Sequence, residues 1–544
     1  MHRLLLSIAP VALVVASPAW AQERTSPDIR DDQRAAVARI IDEGTSQSQV
    51  MPIVQHMTDV IGPRLTNSPQ MRQAEDWAEQ KFREMGLTNV RREGFEFGRG
   101  WSIERSSVRM LAPRPLQLTA IPIAWTPATD GTLSAPIVVA PMSDPDHFAR
   151  WRGQLRGKIV LISQPGTGED QTDPLFHRLT GEELSALDRY QEPVNDPEQR
   201  RRSATRGTFE AERLAFLAAE GAVAFVRMSY RDGKQLHGEG YLHQAGRTAP
   251  IPGVELAAED YRRLTRLAAS GTVPTLEITS DVRFDDTNTQ AYNILADIAG
   301  SSGTGEYVMA GAHYDSWVAG DGATDNAAGS AVVMEAARII RALGVRPRRT
   351  IRFTLWNGEE QGLFGSINYI DRHLASRPAG PAGETGLQRY LAEATRFPVT
   401  PKPGFRDLAA YFNIDNGSGR IRGIHAEGNV QAMPTLSEWL SPFRAMGATE
   451  VAIARTGGTD HQLMAAIGLP AFQFIQDPLE YDTLTHHSGS DTFDHLRAAD
   501  LRQGAVVLAG LLWQAANADA PLPRSPLPRQ PVVTDPFATP TPED

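Results

Sequence analysis

The side chains best equipped for chemistry in this sequence are His313, Asp325, Glu360, Asp415 and His487, two imidazoles and three carboxylates in its C-terminal half. These are the ligand types that zinc accepts when no thiolate is available, and the chain contains no cysteine. Taken singly, each would pass for a solvated loop residue. Their joint occurrence beside glycine-rich turns, as in Gly320-Asp-Gly322 and Ser488-Gly489, favours a shared centre. Glu359 adjoins Glu360, and neighbouring side chains of an extended chain point in opposite directions. The two carboxylates of the pair can therefore diverge.

The surrounding pattern supplies elements that would bring these groups together. An apolar run from Tyr307 to Ala312 leads into His313-Tyr-Asp-Ser316. From Asn326, apolar residues Val332, Val333, Ala336, Ile339, Ile340 and Leu343 recur at helical spacing, and Gly344 follows as a stop signal. A second strand pattern, Thr350 to Trp356, ends at Asn357-Gly-Glu-Glu360. Strand, helix and strand in this order predict a βαβ unit with parallel strands, whose carboxyl ends are where ligands gather in open α/β sheets. Further strands are predicted at 292–298, at 408–414 just before Asp415, and at 471–475. Helices are predicted at 434–446, 460–467 and 499–513. The fold class is α/β.

A chain of 544 residues is too long for one ordinary core, so two or three domains are expected. The net charge of -11 argues against a sequence-independent hold on nucleic acid, which requires basic surface. His2-Arg3, the apolar run Leu4 to Val15 and Ala19-Trp-Ala21 read as a signal peptide over residues 1–21, and hence a periplasmic or secreted protein. That run is shorter than the ~20 residues a bilayer span needs, and no later run is long enough either, so no stable membrane span is expected. Residues 23–34 read as loose and polar, and helical patterning begins near Ala35. It breaks at Gly62-Pro-Arg-Leu65 and resumes over 68–85, before a strand at 89–97. Short β-like runs follow from about Ile121, and residues 126–280 read as an inserted domain, with 166–206 a long polar surface loop suited to a lid. Residues 520–544 are Pro-rich, aperiodic and expected to be disordered.

Five ordered motifs make the sequence resemble the M28 family of co-catalytic zinc peptidases: His313-Tyr-Asp-Ser, Gly322-Ala-Thr-Asp-Asn326, Asn357-Gly-Glu-Glu360, Asn413-Ile-Asp415 and His487-Ser-Gly-Ser-Asp-Thr492. The likeness extends to Gly62-Pro-Arg-Leu65 and Gly98-Arg-Gly-Trp101, and is strongest to the carboxypeptidase Q-like group. In that group a protease-associated (PA) domain interrupts the catalytic domain, which fits residues 126–280. The resemblance implies a phosphorylase/hydrolase-like three-layer αβα catalytic domain, built from 22–125 and 281–519, and a mostly β insert. It further implies two zinc ions per chain, replaceable by cobalt or manganese, bridged by Asp325. His313 and Asp415 would complete one site, and Glu360 and His487 the other. Glu359 would be the general base. A bridging carboxylate offsets repulsion between cations held about 3.5 to 4 Å apart, and zinc lowers the pKa of a bound water to about 7. Asp315, two residues beyond His313, can accept the hydrogen bond from the imidazole nitrogen turned away from the metal.

The sequence departs from related aminopeptidases in one respect. They carry a tyrosine before the last histidine ligand, whereas His486 stands here, as in the carboxypeptidase Q-like group. His486 or Tyr481 is the expected oxyanion donor. His487 is taken as the ligand because it precedes Asp491-Thr492 by the family spacing. Gly457-Gly-Thr-Asp-His461 resembles a loop near the substrate pocket, which makes Asp460 and His461 candidate substrate contacts, although His461 would equally cap the next helix. The reading is an exported exopeptidase acting on dipeptides or short peptides. The alternatives are a zinc amide hydrolase or glutaminyl cyclase on the same fold, or an inactive receptor. Nothing in the residues chooses between amino and carboxyl termini, and the insert could close over the site or mediate a homodimer. A serine hydrolase elbow and a His-Glu-x-x-His helix are both missing.

Overall fold

The computed structural model describes residues 27–168, 172–189, 197–240, 243, 248–384 and 386–530. The expected signal segment, residues 1–21, lies outside them. Two eight-stranded sheets dominate the molecule.

The first sheet runs in the order Thr88–Glu96, Gln290–Ile298, Thr350–Trp356, Tyr307–His313, Leu408–Asn413, Ala471–Gln476, Ile421–His425 and Glu450–Ala452. Its four middle strands, Thr350–Trp356 through Ala471–Gln476, are mutually parallel. Three of them, Tyr307–His313, Leu408–Asn413 and Ala471–Gln476, are buried along their whole length, as parallel strands covered on both faces should be. One face packs on helices Ala328–Ala342 and Ala498–Asn517 through Val332, Ile339, Val506 and Leu511. The other packs on Phe364–Tyr369 and Gln462–Ala466 through Ile367, Tyr369, Leu463 and Met464. This is the α/β three-layer arrangement, with the predicted βαβ unit at its centre.

Register decides where the charged residues emerge. Tyr307 lies opposite Thr350 and His313 opposite Trp356, while Gly311 lies opposite Asn413 on the other side. From Tyr307–His313 the chain crosses to one neighbour through helix Ala328–Ala342 and only later reaches the other neighbour. The loops after these strands therefore diverge and leave a crevice at their carboxyl ends.

The second sheet is built from Leu116–Gln117, Gly100–Ala112, Thr275–Asp285, Thr132–Val139, Ile159–Leu161, Ala224–Met228, Gly253–Leu256 and Ala120–Pro122, in that order. Three of its strands precede residue 126, where the sequence places the start of the insertion. Two of them pair with later strands of the same sheet, Gly100–Ala112 with Thr275–Asp285 and Ala120–Pro122 with Gly253–Leu256, and the third, Leu116–Gln117, pairs with Gly100–Ala112. The entering and leaving stems touch: Phe97 N–H donates to Thr289 O at 3.0 Å, and Asn67 Nδ2 donates to Gly98 O at 2.6 Å and Asn288 O at 2.9 Å. Phe97, Trp101, Trp125 and Trp317 form an apolar cluster at this junction.

Several expectations change. The segment 166–206 is not a continuous loop: it holds helix Gly181–Ala186 and the start of Pro197–Ala219. Thr180 and Glu183 make a capping box that starts the first of these despite its polar composition. Helix Pro27–Ser46 begins within the stretch expected to be loose. At the other end, residues 520–530 are held against the first sheet's domain: Leu522 is buried and Arg524 Nη2 donates to Leu408 O at 2.7 Å. Asn429 Nδ2 also donates to Pro523 O at 2.7 Å, so the expected disordered tail does not begin at 520. Among the described residues no helix is long and apolar enough to cross a membrane.

Candidate active site

The crevice gathers all five candidate ligands. His313 ends its strand with Nε2 3.1 Å from Asp325 Oδ1 and 3.2 Å from Asp415 Oδ1. His487 places Nε2 3.2 Å from Asp325 Oδ2 and 2.9 Å from Glu360 Oε2. The two oxygens of Asp325 thus face two separate donor clusters. His486 also lies within ligating range, but its Nε2 is 3.8 Å from Asp325 Oδ2, farther than that of His487.

Local structure fixes each group. Asp491 holds the Asp325 segment, its carboxylate accepting the Thr324 N–H at 2.6 Å and the Asp325 N–H at 3.0 Å. Gly322, at φ +59°, permits the turn before Asp325, where a Cβ would lie 2.3 Å from Ser316 Cβ. Asn326 Nδ2 donates to Ile414 O at 3.0 Å, tying that turn to the residue before Asp415. Ser330 Oγ donates to His313 O at 2.7 Å and fastens the strand end to its helix. His487 sits at φ +54°, a left-handed conformation uncommon outside glycine, which marks it as a residue held by its surroundings.

Asp315 does not do what its spacing suggested. His313 Nδ1 donates to the main-chain oxygen of Asp315 at 3.0 Å, and the Asp315 carboxylate is 3.8 Å from that nitrogen. The carboxylate is instead occupied by three donors: Glu359 N–H at 3.2 Å, Glu360 N–H at 3.2 Å and Thr66 Oγ1 at 3.0 Å. The strand-end turn lets the carbonyl reach the ring first, which leaves the side chain free to orient the Glu359-Glu360 pair. Because a carbonyl only accepts, the proton is assigned to Nδ1, and in the neutral ring the Nε2 lone pair faces the carboxylates.

The electrostatics call for positive charge. Burial pushes Glu360 up to about 7, and drives Glu359 well above the usual carboxylate range with Asp415, Asp460 and Glu360 adding to the rise. Burial likewise raises Asp460 to about 8 and Asp491 to about 7. Glu360 Oε1 is buried without a hydrogen-bond partner among the described residues. Carboxylates and imidazoles converging in this way, with no lysine or arginine among them, fit divalent cations of the zinc type.

A cleft of about 400 Å³ opens over these groups, walled by Glu359, Glu360, Asp415, Tyr481, His486 and His487. Tyr481 packs beside His486, ring centroids 4.8 Å apart, and against Gly417, where a Cβ would lie 2.9 Å from the Tyr481 ring. The other proposed substrate contacts do not reach the cleft. Asp460 is fully buried, and His461 is buried with Nε2 3.1 Å from Glu427 Oε1. Their neighbours Gly457, Gly458 and Thr459 form the wall instead.

Sequence reasoning missed other residues. Leu387 and Tyr390, on helix Gly386–Glu393, line the cleft from the stretch between the strands predicted at 350–356 and 408–414, where no element was expected. Arg64, within the noted Gly62-Pro-Arg-Leu65 segment, is buried and donates to the carbonyls of Met57, Gly62, Tyr314, Asp321 and Gly322 at 2.8 to 3.2 Å. It binds the N-terminal helices to the loop between His313 and Asp325. Glu239, from the second-sheet domain, places Oε1 3.0 Å from His487 Nδ1. No spacing pattern marked it.

Comparison with known proteins gives a consistent picture. Residues 293–511 match the model of peptidase family M28. The chain is 24% identical to carboxypeptidase Q of Mus musculus over 91% of each chain, and 24% identical to that of Homo sapiens over 92% of this chain and 94% of the other. Among solved structures it is similar to a peptidase M28 precursor from Shewanella amazonensis, with a TM-score of 0.64 and 26% identity over 92% of this chain and 99% of that one. A zinc aminopeptidase from Bacillus subtilis shares the fold, with a TM-score of 0.55 and 18% identity over 86% of this chain and 94% of that one. Fold and family together define the class as a metallo-exopeptidase on a phosphorylase/hydrolase-like fold. Residues 293–511 thus carry the match to peptidase family M28, and the chain as a whole is carboxypeptidase Q-like.

Proposed function

We propose that this chain is an exported exopeptidase that holds two zinc ions and hydrolyses dipeptides or short peptides. The observation that carries the reading is the placement of the two Asp325 oxygens, one 3.1 Å from His313 Nε2 and the other 3.2 Å from His487 Nε2. His313, Asp325 and Asp415 would hold one ion, and Asp325, Glu360 and His487 the other. Zinc bound there supplies a water of lowered pKa and a positive charge for the substrate carbonyl.

The chain's own groups supply the rest. Glu359, beside the ligand Glu360 in the cleft wall, takes the proton of the attacking water and delivers it to the leaving amine. Asp315 aims Glu359 through its main-chain N–H. His486 is held below its ordinary pKa by burial and by His487, so at neutral pH it is an uncharged donor for the oxyanion, with Tyr481 beside it.

The cleft wall carries Asp482 and, among its described residues, no lysine or arginine. That charge balance supports recognition of a free α-amine over an α-carboxylate. Export is supported by the basic start, apolar run and Ala19-Trp-Ala21 of the N-terminus. The protease-associated reading of residues 126–280 belongs to the same proposal.

Metal analysis of the purified chain, combined with mass-spectrometric reading of a dipeptide library, tests the function. Two zinc ions per chain and cleavage of dipeptides are expected. A fully zinc-loaded sample that cleaves no library member would overturn the enzyme reading, and a single bound ion would overturn the two-ion centre.

A further inference from the structure

We infer that Glu239, which belongs to the second-sheet domain, is a positioning residue for the metal centre of the first, acting through His487. The inference rests on the two-ion reading above and adds to it a ligand orienter supplied by the inserted part of the chain.

Glu239 lies in the loop after strand Ala224–Met228, is buried, and places Oε1 3.0 Å from His487 Nδ1. A carboxylate there accepts the Nδ1 proton and keeps the Nε2 lone pair turned to Asp325 and Glu360, at 3.2 and 2.9 Å. A carboxylate behind an imidazole also makes it a more basic ligand, which a neutral acceptor does less well. His313 Nδ1 donates instead to the neutral main-chain oxygen of Asp315 at 3.0 Å, with the Asp315 carboxylate farther off at 3.8 Å. The two proposed sites are therefore unequal, and the one at His487 depends on the insert.

The geometry of Glu239 is itself secured. Arg227 Nη2 donates to Glu239 O at 2.8 Å and to Glu255 Oε2 at 3.1 Å. The same loop grips the His487 segment along its length. Gly489 N–H donates to Leu236 O at 2.8 Å, Ser490 Oγ donates to Gln235 Oε1 at 3.0 Å, and Arg231 Nη1 donates to His486 O at 3.2 Å. These contacts hold His487 in its left-handed conformation, at φ +54°, and turn Nδ1 toward Glu239.

Zinc titration of the metal-stripped full-length chain, wild type against Glu239→Ala and Glu239→Gln, tests this. Calorimetry reads the affinity of each site, Co²⁺ absorption bands read the ligand field as each site fills, and urea unfolding of the metal-free proteins reads their integrity. Wild type is expected to bind two ions. Glu239→Ala is expected to weaken one site about 10- to 100-fold and to leave the other unchanged. Glu239→Gln, whose amide oxygen still accepts from Nδ1, should fall between them; a merely structural role would weaken both sites together or neither. If Glu239→Ala fails to fold, Glu239→Gln decides. Folded variants that bind both ions with wild-type affinity overturn the inference while leaving the two-ion reading intact. A wild type that takes one ion sinks the two-ion reading, and Glu239 is then judged on whether that ion's affinity falls in its variants.

Discussion

The Asp315 carboxylate accepts the main-chain N–H of Glu359 at 3.2 Å, so the candidate base is aimed by a residue two positions beyond the candidate ligand His313. The same carboxylate accepts from Glu360 N–H, also at 3.2 Å. Asp315→Ala should lower kcat about 10- to 100-fold while zinc content stays near wild type, because the ring of His313 is held by a main-chain oxygen the substitution keeps. Steady-state kinetics alongside metal analysis checks this. Loss of zinc in proportion to activity would instead assign Asp315 to the imidazole.

Arg64 matters for stability as much as for the site. Removing its guanidinium in Arg64→Met takes a donor from five carbonyls, those of Met57, Gly62, Tyr314, Asp321 and Gly322, of which Met57 O and Gly322 O keep main-chain donors in Gly62 N–H and Ala327 N–H. Even with partial relaxation the cost should be roughly 3 kcal/mol or more, read as a drop in the urea midpoint. Arg64→Lys should recover only part, since one ammonium cannot reach acceptors spread around a planar fork.

Acid should destabilise the junction between the sheets through His243. Burial lowers this imidazole to about 4, and its Nε2 donates to Phe97 O at 3.1 Å while its ring stacks on Phe97 with centroids 4.0 Å apart. The unfolded chain takes up this proton near pH 6.5 and the folded chain only near 4. The associated stability is present above 6.5 and is lost as pH falls through that window, up to about 3 kcal/mol. His243→Phe should flatten the slope of unfolding free energy between pH 6.5 and 4 by one proton. An unchanged slope would place the titration elsewhere.

A cleft with Asp482 in its wall and no arginine or lysine among its described residues predicts dependence on a free amino terminus. N-acetylation of a good dipeptide substrate should reduce kcat/KM about 10- to 100-fold, the worth of one charge-assisted hydrogen bond. Amidation of its carboxyl end should cost less. The reverse ranking would point to recognition of the carboxyl terminus.

The centre of this protein was readable because its strands are apolar runs that end abruptly in charge. His313, Glu360 and Asp415 follow such runs, and a βαβ unit can deliver them only to one edge. What the sequence hid depends on distance or fine geometry. Arg64 meets Tyr314 through a fold contact that no local spacing encodes. Glu239 is a solitary acid, distinguished only when the insert folds back onto His487. Whether the carbonyl or the carboxylate of Asp315 reaches the imidazole turns on a few dihedral angles. Asp460 and His461 looked like pocket residues because their glycine neighbours are, yet the helix start at Gln462 turns both inward. The helix at Gly181 did carry its signal, Thr180 and Glu183, but polar composition outweighed it.

The stems at Phe97 and Thr289 form a narrow neck, and Asn67 clasps both of its sides through Gly98 and Asn288. The Glu239 contact lies away from that neck, where the second-sheet domain meets the His487 segment. A displacement of the second-sheet domain would therefore pull on the imidazole next to Asp325, and the proposed grip on a cation would change with it.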